Sequence, residues 1–396
     1  MMELKVATCF ALFLCIFKTV HAEPNCSNGF GATGPNVICI AGAEDYVLRK
    51  GLVSDNDLTT AIVLKGCRIT SIEEGALGAL PALEDIDLSQ NSLQALTRML
   101  DKTPNLLKLN LSNNRIESLQ LNIFDALTKL KSLDLSNNVI LGRNIQSRVF
   151  EELHHIEFLD LSGNFMTGTP ENLLQALQSI KTLKLSRCNL DEVPKFATHP
   201  NLNSMTRLTL SANLITALHN KLFINSEKLE SIEFDDNLIE FIQEDVFKSL
   251  KNIKTISLQH NKIKDLPESL FKSLPKLGNI NLSHNLIEYI PANAFRHTGL
   301  KNLNLADNKF TYLQDNFCLE LRNSGVRLKK FYFNQNPWQC ACLNDILIEV
   351  KKMGIHYNGA KYIGQEPVCV TTKEFNCQRQ PNYNEEYKDL YNDIIG

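Results

Sequence analysis

The sequence predicts an α/β solenoid with a parallel sheet of about twelve strands along its concave side. Residues 106–116 read LLKLNLSNNRI, which is L-x-x-L-x-L-x-x-N-x-I. Leucines at this spacing suit a short strand whose apolar side chains enter a core, and Asn114 follows where the chain must turn. The pattern occurs in twelve units. A fixed period of this length is typical of a solenoid, which grows by adding units and not by enlarging one core.

The turn position carries asparagine in ten units and cysteine in the other two. Most units are 23 to 26 residues apart, and the last lies 28 residues after its neighbour. An amide at a buried bend can bond backbone groups that the turn leaves unpaired, which accounts for the asparagine. The turn positions are Cys67, Asn91, Asn114, Asn138, Asn164, Cys188, Asn213, Asn237, Asn261, Asn285, Asn308 and Asn336.

A second apolar set follows each turn and closes the coil. Five phenylalanines lie eight residues after the apolar residue of their turn, and we expect them to stack as a spine behind the sheet: Phe124, Phe223, Phe247, Phe271 and Phe295. Repeats five to seven depart from this spacing. The unit around Phe150 is longer, and the one around Pro194–Pro200 has no clear spine phenylalanine, so we expect looser convex loops there.

These residues and spacings resemble the extracellular leucine-rich repeat family, in its 24-residue class, over residues 58–338. Similar proteins are Toll-receptor ectodomains, secreted invertebrate leucine-rich immune proteins and matrix leucine-rich proteins. The resemblance implies a horseshoe with a disulfide cap at each end, and a binding role without catalysis. The family also accepts cysteine at the turn, so Cys67 and Cys188 are expected to be buried thiols.

Two segments precede the repeats. Residues 1–22 combine a charged start, an apolar stretch too short to span a bilayer and small residues at their end, which predicts a secretory signal peptide. Residues 23–57 contain Cys26 and Cys39. We expect a disulfide between them in an N-terminal cap, because the end of a solenoid exposes apolar core unless it is covered.

Residues 339–378 predict a C-terminal cap. The stretch NPWQCAC supplies Cys340 and Cys342, and Cys369 and Cys377 follow. Four cysteines allow three pairings, and a zinc site is the rival interpretation, although a secreted chain favours disulfides. The family resemblance implies the pairs Cys340–Cys369 and Cys342–Cys377.

The last segment, residues 379–396, is polar and acidic. It has too little apolar surface to fold alone, so we predict a flexible tail. Three tyrosines stand beside carboxylates there, namely Tyr383, Tyr387 and Tyr391. Sulfation of these tyrosines in the secretory route is one interpretation, and an unmodified solvated tail is the one we favour.

One cysteine remains after the caps and turns are assigned. An odd cysteine in a secreted chain suggests an intermolecular disulfide. However, Cys318 lies eight residues after Phe310, at the register of the spine. We therefore predict a buried free thiol at Cys318, and a protein that is monomeric or a weak non-covalent oligomer.

Composition and motifs narrow the classes of function. The net charge is −3, from 44 acidic and 41 basic residues, which does not favour nucleic-acid binding. Beyond the signal peptide there is no apolar run long enough for a membrane span. Metalloprotease, phosphate-loop and nucleophile-elbow motifs are absent from the sequence. We therefore expect neither catalysis nor a cofactor.

Three Asn-x-Ser sequences are candidate glycosylation sites, at Asn25, Asn110 and Asn281. A separate row of polar residues holds the place just before the turn asparagine in four successive repeats: Asp236, His260, His284 and Asp307. A metal site or pH-sensitive contact is one interpretation of this row. We favour ordinary solvated residues, because polar residues are the rule at this place, and we assign no metal ligands.

The concave sheet is the expected partner site. Glycans at Asn110 and Asn281 would leave repeats four to nine open, and the partner-binding candidates there are Asp134, Phe158, Asp160, Glu230, Glu233, Asp235 and Asp236. Lys184 interrupts this acidic surface, and Phe158 is a candidate anchor. These residues favour a partner with a basic patch. The alternative is that the partner uses the convex loops or the acidic tail.

Taken together, these features predict a secreted, non-catalytic protein that binds an extracellular protein or a pathogen or cell-surface ligand. An immune or receptor-type role is the leading hypothesis. Two other classes stay open, since one fold serves many functions. One is a matrix or adhesion protein, and the other is a non-catalytic subunit that stabilises a secreted enzyme.

Overall fold

The computed structural model describes residues 23–27, 31–98, 100–272, 274–363, 368–371, 373, 375–381 and 384–395. The predicted signal peptide, residues 1–22, lies outside these residues. The strands are β1 (Asn25–Cys26), β2 (Asn36–Ile40), β3 (Tyr46–Leu48), β4 (Ala61–Val63), β5 (Ile69–Ile72), β6 (Asp85–Asp87), β7 (Lys108–Asn110), β8 (Ser132–Asp134), β9 (Phe158–Asp160), β10 (Thr182–Lys184), β11 (Arg207–Thr209), β12 (Ala217–Leu218), β13 (Ser231–Glu233), β14 (Phe241–Ile242), β15 (Thr255–Ser257), β16 (Asn279–Asn281), β17 (Asn302–Asn304) and β18 (Lys330–Tyr332).

The helices are few and short. The α-helices are α1 (Phe317–Asn323), α2 (Cys340–Lys352) and α3 (Asn384–Ile395). Four 3₁₀ turns lie at Gly142–Asn144, Lys195–Thr198, Ala292–Phe295 and Gly359–Tyr362. Within the described residues, no helix combines the length and apolar character needed to cross a bilayer.

One long sheet organises the molecule. Its fourteen strands run in the order β1-β2-β4-β6-β7-β8-β9-β10-β11-β13-β15-β16-β17-β18, and every pair except β1–β2 is parallel. Twelve of these strands are the predicted repeat strands, and β1 and β2 of the N-terminal cap extend the sheet. Successive repeats pair in register, as Leu109 does with Leu133. The same motif position in neighbouring repeats therefore forms a row across the sheet.

The turn asparagines form the predicted ladder. The Nδ2 group of Asn261 donates to the carbonyl oxygens of Phe234, Leu258 and Gln259, and its Oδ1 accepts from the backbone N–H of Ile239. One buried amide thus bonds its own turn and the preceding repeat, which satisfies groups that would be costly to bury unpaired. Cys67 and Cys188 are buried thiols in the same place.

The phenylalanine spine is also confirmed. Phe271 stacks between Phe247 and Phe295, with ring centroids 6.3 and 5.8 Å apart. The expectation for repeats five to seven was wrong in part, because Phe196 is buried in the core. Phe196 lies within the 3₁₀ turn Lys195–Thr198, six residues after Leu190, and so comes earlier than the spine phenylalanines of other repeats.

The residue before each turn asparagine or cysteine has a left-handed backbone. All twelve repeats share this feature, with φ between 52° and 68°: Gly66, Gln90, Asn113, Asn137, Gly163, Arg187, Ala212, Asp236, His260, His284, Asp307 and Gln335. Glycine, asparagine, aspartate and histidine tolerate this conformation better than other residues. The row of Asp and His singled out in the sequence is therefore explained by backbone geometry.

Both caps are disulfide-bonded as expected. The bonds are Cys26–Cys39, Cys340–Cys369 and Cys342–Cys377. Cys318 is a buried free thiol, and its backbone N–H donates to Glu349 Oε2 at 3.1 Å. Burial and the adjacent carboxylate raise the pKa of this thiol, which opposes formation of the reactive thiolate.

The prediction of a flexible tail was wrong. Residues Asn384–Ile395 form α3, which packs against the end of the solenoid. Tyr387 and Tyr391, one helical turn apart, are buried with Val370. The Thr311 hydroxyl donates to Asn384 Oδ1 at 2.6 Å, and both residues are buried. The segment is too polar to fold alone, but Val370 of the C-terminal cap supplies apolar surface that it lacks.

Candidate binding face

The fifth motif position is not simply solvated. In several repeats its side-chain oxygen accepts a hydrogen bond from the backbone N–H two residues later, which fixes the end of the strand. Asp134 accepts from Ser136 at 2.9 Å, and Asp160 accepts from Ser162 at 2.9 Å. Asn110 does the same with Ser112 at 3.0 Å. Aspartate and asparagine are thus used here for the local turn as well as for the surface.

Burial changes the electrostatics of two candidate carboxylates. Desolvation raises the pKa of Asp134, against hydrogen bonds from Ser136 that lower it. Desolvation likewise raises the pKa of Asp235, against hydrogen bonds from Ser257 and Gln259. Both side chains are therefore costly to ionise in the folded protein.

Asp160, Phe158 and Lys184 form one cluster on neighbouring strands. The Lys184 ammonium lies 3.3 Å from Asp160 Oδ2 and 5.0 Å from the centroid of the Phe158 ring. Asp160 is only 7% exposed. Lys184 therefore neutralises Asp160 and covers Phe158 through a cation–π contact, so a partner reaches this anchor only beside the lysine.

Repeat eight contains the predicted acidic cluster, but its four carboxylates differ in whether a neighbouring side chain pairs with them. Glu230 pairs with Lys254 at 2.8 Å. Asp235 accepts from the backbone and side chain of Gln259, each at 3.3 Å. Glu233 and Asp236 make no ion pair with any described residue. No described cation neutralises these two carboxylates, so repeat eight keeps negative charge on the concave face.

Two cationic residues were missed in the sequence. Arg187 and Arg207 lie on the same face in repeats six and seven, and neither makes an ion pair among the described residues. The Arg187 guanidinium reaches back to Asn137 Oδ1 at 3.3 Å, passing the glycine Gly163 of the intervening repeat. Both could have been found by aligning the motif positions, because residues at one position form a row across the sheet.

Only some side chains of the polar row before the turn asparagines contact one another. The rings of His260 and His284 stack at 4.0 Å and 7°, and His284 Nδ1 lies 2.5 Å from Asp307 Oδ2. Asp236 makes no contact of this kind. Among the described residues, no three His, Cys, Asp or Glu side chains are arranged to hold a metal ion.

The three candidate glycosylation sites occupy strands of the main sheet. Asn25 is exposed in the edge strand β1, whereas Asn110 and Asn281 are half-buried in β7 and β16. Asn281 also lines a concave pocket of about 420 Å³ in repeats eight to twelve. Repeats ten to twelve contribute uncharged side chains to this pocket, among them Asn279, Asn302, Asn304 and Tyr332.

Comparison with known families agrees with this geometry. Residues 191–320 match the BspA type Leucine rich repeat region in six copies, and residues 58–116 and 104–164 match the family Leucine rich repeat. A chain of stacked repeats with a parallel concave sheet and disulfides near both ends is a capped solenoid. This chain is therefore a leucine-rich repeat protein. A search of curated proteins finds no match.

Solved structures share the fold. A structure of the Drosophila Toll–Spatzle complex matches with a TM-score of 0.57 at 16% identity, over 79% of this chain and 51% of that one. The TLR13–ssRNA13 complex matches with a TM-score of 0.57 at 19% identity, over 76% and 54%. The octameric complex of Latrophilin 3, Unc5D and FLRT2 matches with 0.55 at 21%, over 87% and 92%. The chain thus spans about half the length of the first two.

Proposed function

We propose that this chain is a secreted, non-catalytic recognition protein that binds a protein partner on the concave face of repeats four to nine, in an immune or receptor-type role. The observation that carries the proposal is a pair of adjacent charged bands. Arg187 and Arg207 form the positive band, and Glu233 and Asp236 form the negative band. None of the four makes an ion pair with a described residue, so all are available to a partner.

The bands favour a partner with complementary charges. Basic groups of the partner would face repeat eight, and acidic groups would face repeats six and seven. The strands beneath are hydrogen-bonded on both sides, so little ordering entropy is lost when a partner binds. Complementary charge speeds association, and added salt screens it. Phe158, beside Lys184, is the apolar anchor nearest to these bands.

Several observations support an extracellular protein-binding role. Three disulfides are typical of chains that fold in an oxidising compartment. Two structures with this fold, the Toll–Spatzle complex and the octameric Latrophilin 3 complex, are protein assemblies. The concave surface of a solenoid is also the surface that such folds commonly use for binding.

Two other roles make different predictions about partners. A matrix or adhesion protein should associate with collagen or cell surfaces and resist extraction. A stabilising subunit should co-purify with one secreted enzyme at fixed stoichiometry. A pull-down of the tagged protein from its native fluid, with mass spectrometry of the bound proteins, separates these roles from recognition of a soluble or pathogen-derived ligand.

Binding of the partner identified in that pull-down then tests whether the concave face is the binding site. Glu233→Lys/Asp236→Lys and, separately, Arg207→Glu should each weaken binding and lower the association rate at low salt. Glu192→Lys, an exposed charge reversal outside the sheet, is the matched control and should bind as wild type does. If the concave variants bind normally and only a chain truncated after Gln378 fails, α3 is the recognition element and the concave site is wrong.

A further inference from the structure

Asn281, one of the three candidate glycosylation sites, lines a concave pocket. In repeats nine to twelve its polar neighbours in the pocket are mostly side-chain amides, which form two directed hydrogen-bond chains across the strands, and the carboxylates of Glu233 and Asp235 line the end in repeat eight. In one chain, Asn302 donates to Asn279, and Asn279 donates to the Thr255 hydroxyl at 3.3 Å. In the other, Asn281 Nδ2 donates to Gln259 Oε1 at 2.6 Å, and Gln259 Nε2 donates to Asp235.

These chains leave uncharged donors and acceptors facing the pocket. Neither Asn302 Oδ1 nor Asn304 Nδ2 contacts a partner in the described part of the chain. The Thr255 hydroxyl accepts from Asn279 and keeps its own proton to donate. The Tyr332 ring lies at one end and adds an apolar surface. A sugar hydroxyl both donates and accepts, so a pyranose ring can satisfy the mixed, uncharged groups that repeats nine to twelve contribute.

The Asn281 amide can carry a sugar without losing its contacts. Its Oδ1 accepts from the backbone N–H and the hydroxyl of Ser283, and glycosylation leaves this oxygen free to do so. Its Nδ2 has two N–H groups. One donates to Gln259, and the other is the one that a glycosidic bond would replace.

We propose that Asn281 carries an N-linked glycan whose first sugars lie in this amide-rich pocket and close the concave face over repeats ten to twelve. Nδ2 forms a bond to the anomeric carbon of an oligosaccharide, loses one proton, and displaces the diphosphate of the lipid-linked sugar donor. The sugar is tethered at the pocket, so its effective concentration there is high. The volume of about 420 Å³ lies within the range of small-ligand sites.

Asn110 provides the internal reference. It holds the same motif position and makes the same bond to the N–H two residues later. Its neighbours in the row are different, because Asp87 and Asp134 flank Asn110, whereas Ser257 and Asn304 flank Asn281. A glycan at Asn110 therefore has a carboxylate on each side in its row, whereas a glycan at Asn281 has none beside it, and we expect the glycan at Asn110 to extend into solvent.

The inference rests on the secretion included in the proposed function, and one experiment separates the two. The full chain is secreted from cultured insect cells, and glycan release in ¹⁸O-water with peptide mass spectrometry reports occupancy at each asparagine. Native endoglycosidase digestion then gives the release rate at each site. We expect Asn281 to be occupied and its glycan to be released about tenfold more slowly than that of Asn110, a difference that disappears after denaturation.

A pocket variant completes the test. Asn302→Ala/Tyr332→Ala should speed release at Asn281 and leave release at Asn110 unchanged, which a general loss of folding would not do. An unmodified Asn281 in a secreted protein with an occupied Asn110, or equal native release rates, overturns the inference and leaves the proposed function standing. A chain that is not secreted and carries no glycan at either site overturns both.

Discussion

The Lys388 ammonium lies 2.6 Å from Glu288 Oε1, although the two residues are 100 positions apart in the chain. Lys388 belongs to α3 and Glu288 to repeat ten, so this contact joins the last helix to the flank of the solenoid. The Lys388 side chain is only 13% exposed. The helix is therefore held by a shielded ion pair as well as by its buried tyrosines.

Docking of α3 should protect it from proteolysis. Tyr387→Ala/Tyr391→Ala removes the buried aromatic contacts, so the helix should detach and trypsin should cut rapidly after Lys388. Mass spectrometry of the product measures this cleavage. Leu390→Ala on the exposed side of the same helix is the control and should stay protected. Rapid cleavage of the wild type at Lys388 would contradict the docked helix.

The turn ladder should be sensitive to loss of a single amide. Asn261→Leu removes the partner of three carbonyl oxygens and one N–H in the buried turn, and we expect a loss of about 3 kcal/mol in the free energy of unfolding. Chemical denaturation measures the change. Lys264→Ala, at an exposed residue of the same repeat, should be nearly neutral. Equal effects of the two substitutions would count against the ladder.

Backbone strain at Ala212 offers a stabilising substitution. Its φ of 56° places an alanine in the left-handed region, where glycine has no steric penalty. Ala212→Gly should therefore raise the free energy of unfolding by about 0.5–1 kcal/mol, since relief of strain exceeds the added entropy of the unfolded chain. Ala217→Gly, in the strand β12, is the control and should destabilise. A lower melting temperature for Ala212→Gly would refute the strain.

Asp134 should make stability depend on pH. Burial raises its pKa in the folded state, so the folded protein holds this proton more tightly than the unfolded chain does. The stabilising contribution is complete below the ordinary aspartate pKa of about 3.9 and is lost as pH rises through the higher folded value. Asp134→Asn should therefore raise the melting temperature at pH 7, with a gain that shrinks as pH falls toward about 4.

This variant needs two precautions. Asp134→Asn creates an Asn-Leu-Ser sequence, so the protein is made in a host without N-glycosylation. The exposed carboxylate of Asp191 gives the control, and Asp191→Asn should show no comparable gain at neutral pH. A melting temperature that is equal for Asp134→Asn and wild type at pH 7 would remove the case for a buried, costly carboxylate.

The repeat architecture could be predicted because each unit repeats the same local physics. One motif specifies a strand, a turn amide and a spine residue. A unit whose own sequence departs from the motif can therefore be assigned from the units on either side of it. The disulfide pairs followed from the family resemblance, and the burial of Cys318 followed from its register. These features depend on positions within a repeat and on contacts between adjacent repeats.

Features that depend on distant contacts could not be predicted in the same way. The tyrosines of α3 stand in an acidic segment, and their burial depends on a surface formed by the C-terminal cap. The charge balance of the concave face could be predicted only in part. Pairs such as Asp160–Lys184 occupy the same position in adjacent repeats and could have been aligned, but the burial of Asp160 required the structure.

The phenylalanine spine also sets the curvature of the molecule. Its rings are 5.8 to 6.3 Å apart from Phe223 to Phe295, whereas neighbouring strands are about 4.8 Å apart. Each repeat is therefore a wedge, wider at the back than at the front, and stacked wedges bend the sheet into an arc. Smaller spine residues would open that arc. The distance between the charged bands is thus governed by aromatic side chains on the opposite side of the core, which a bound partner never touches.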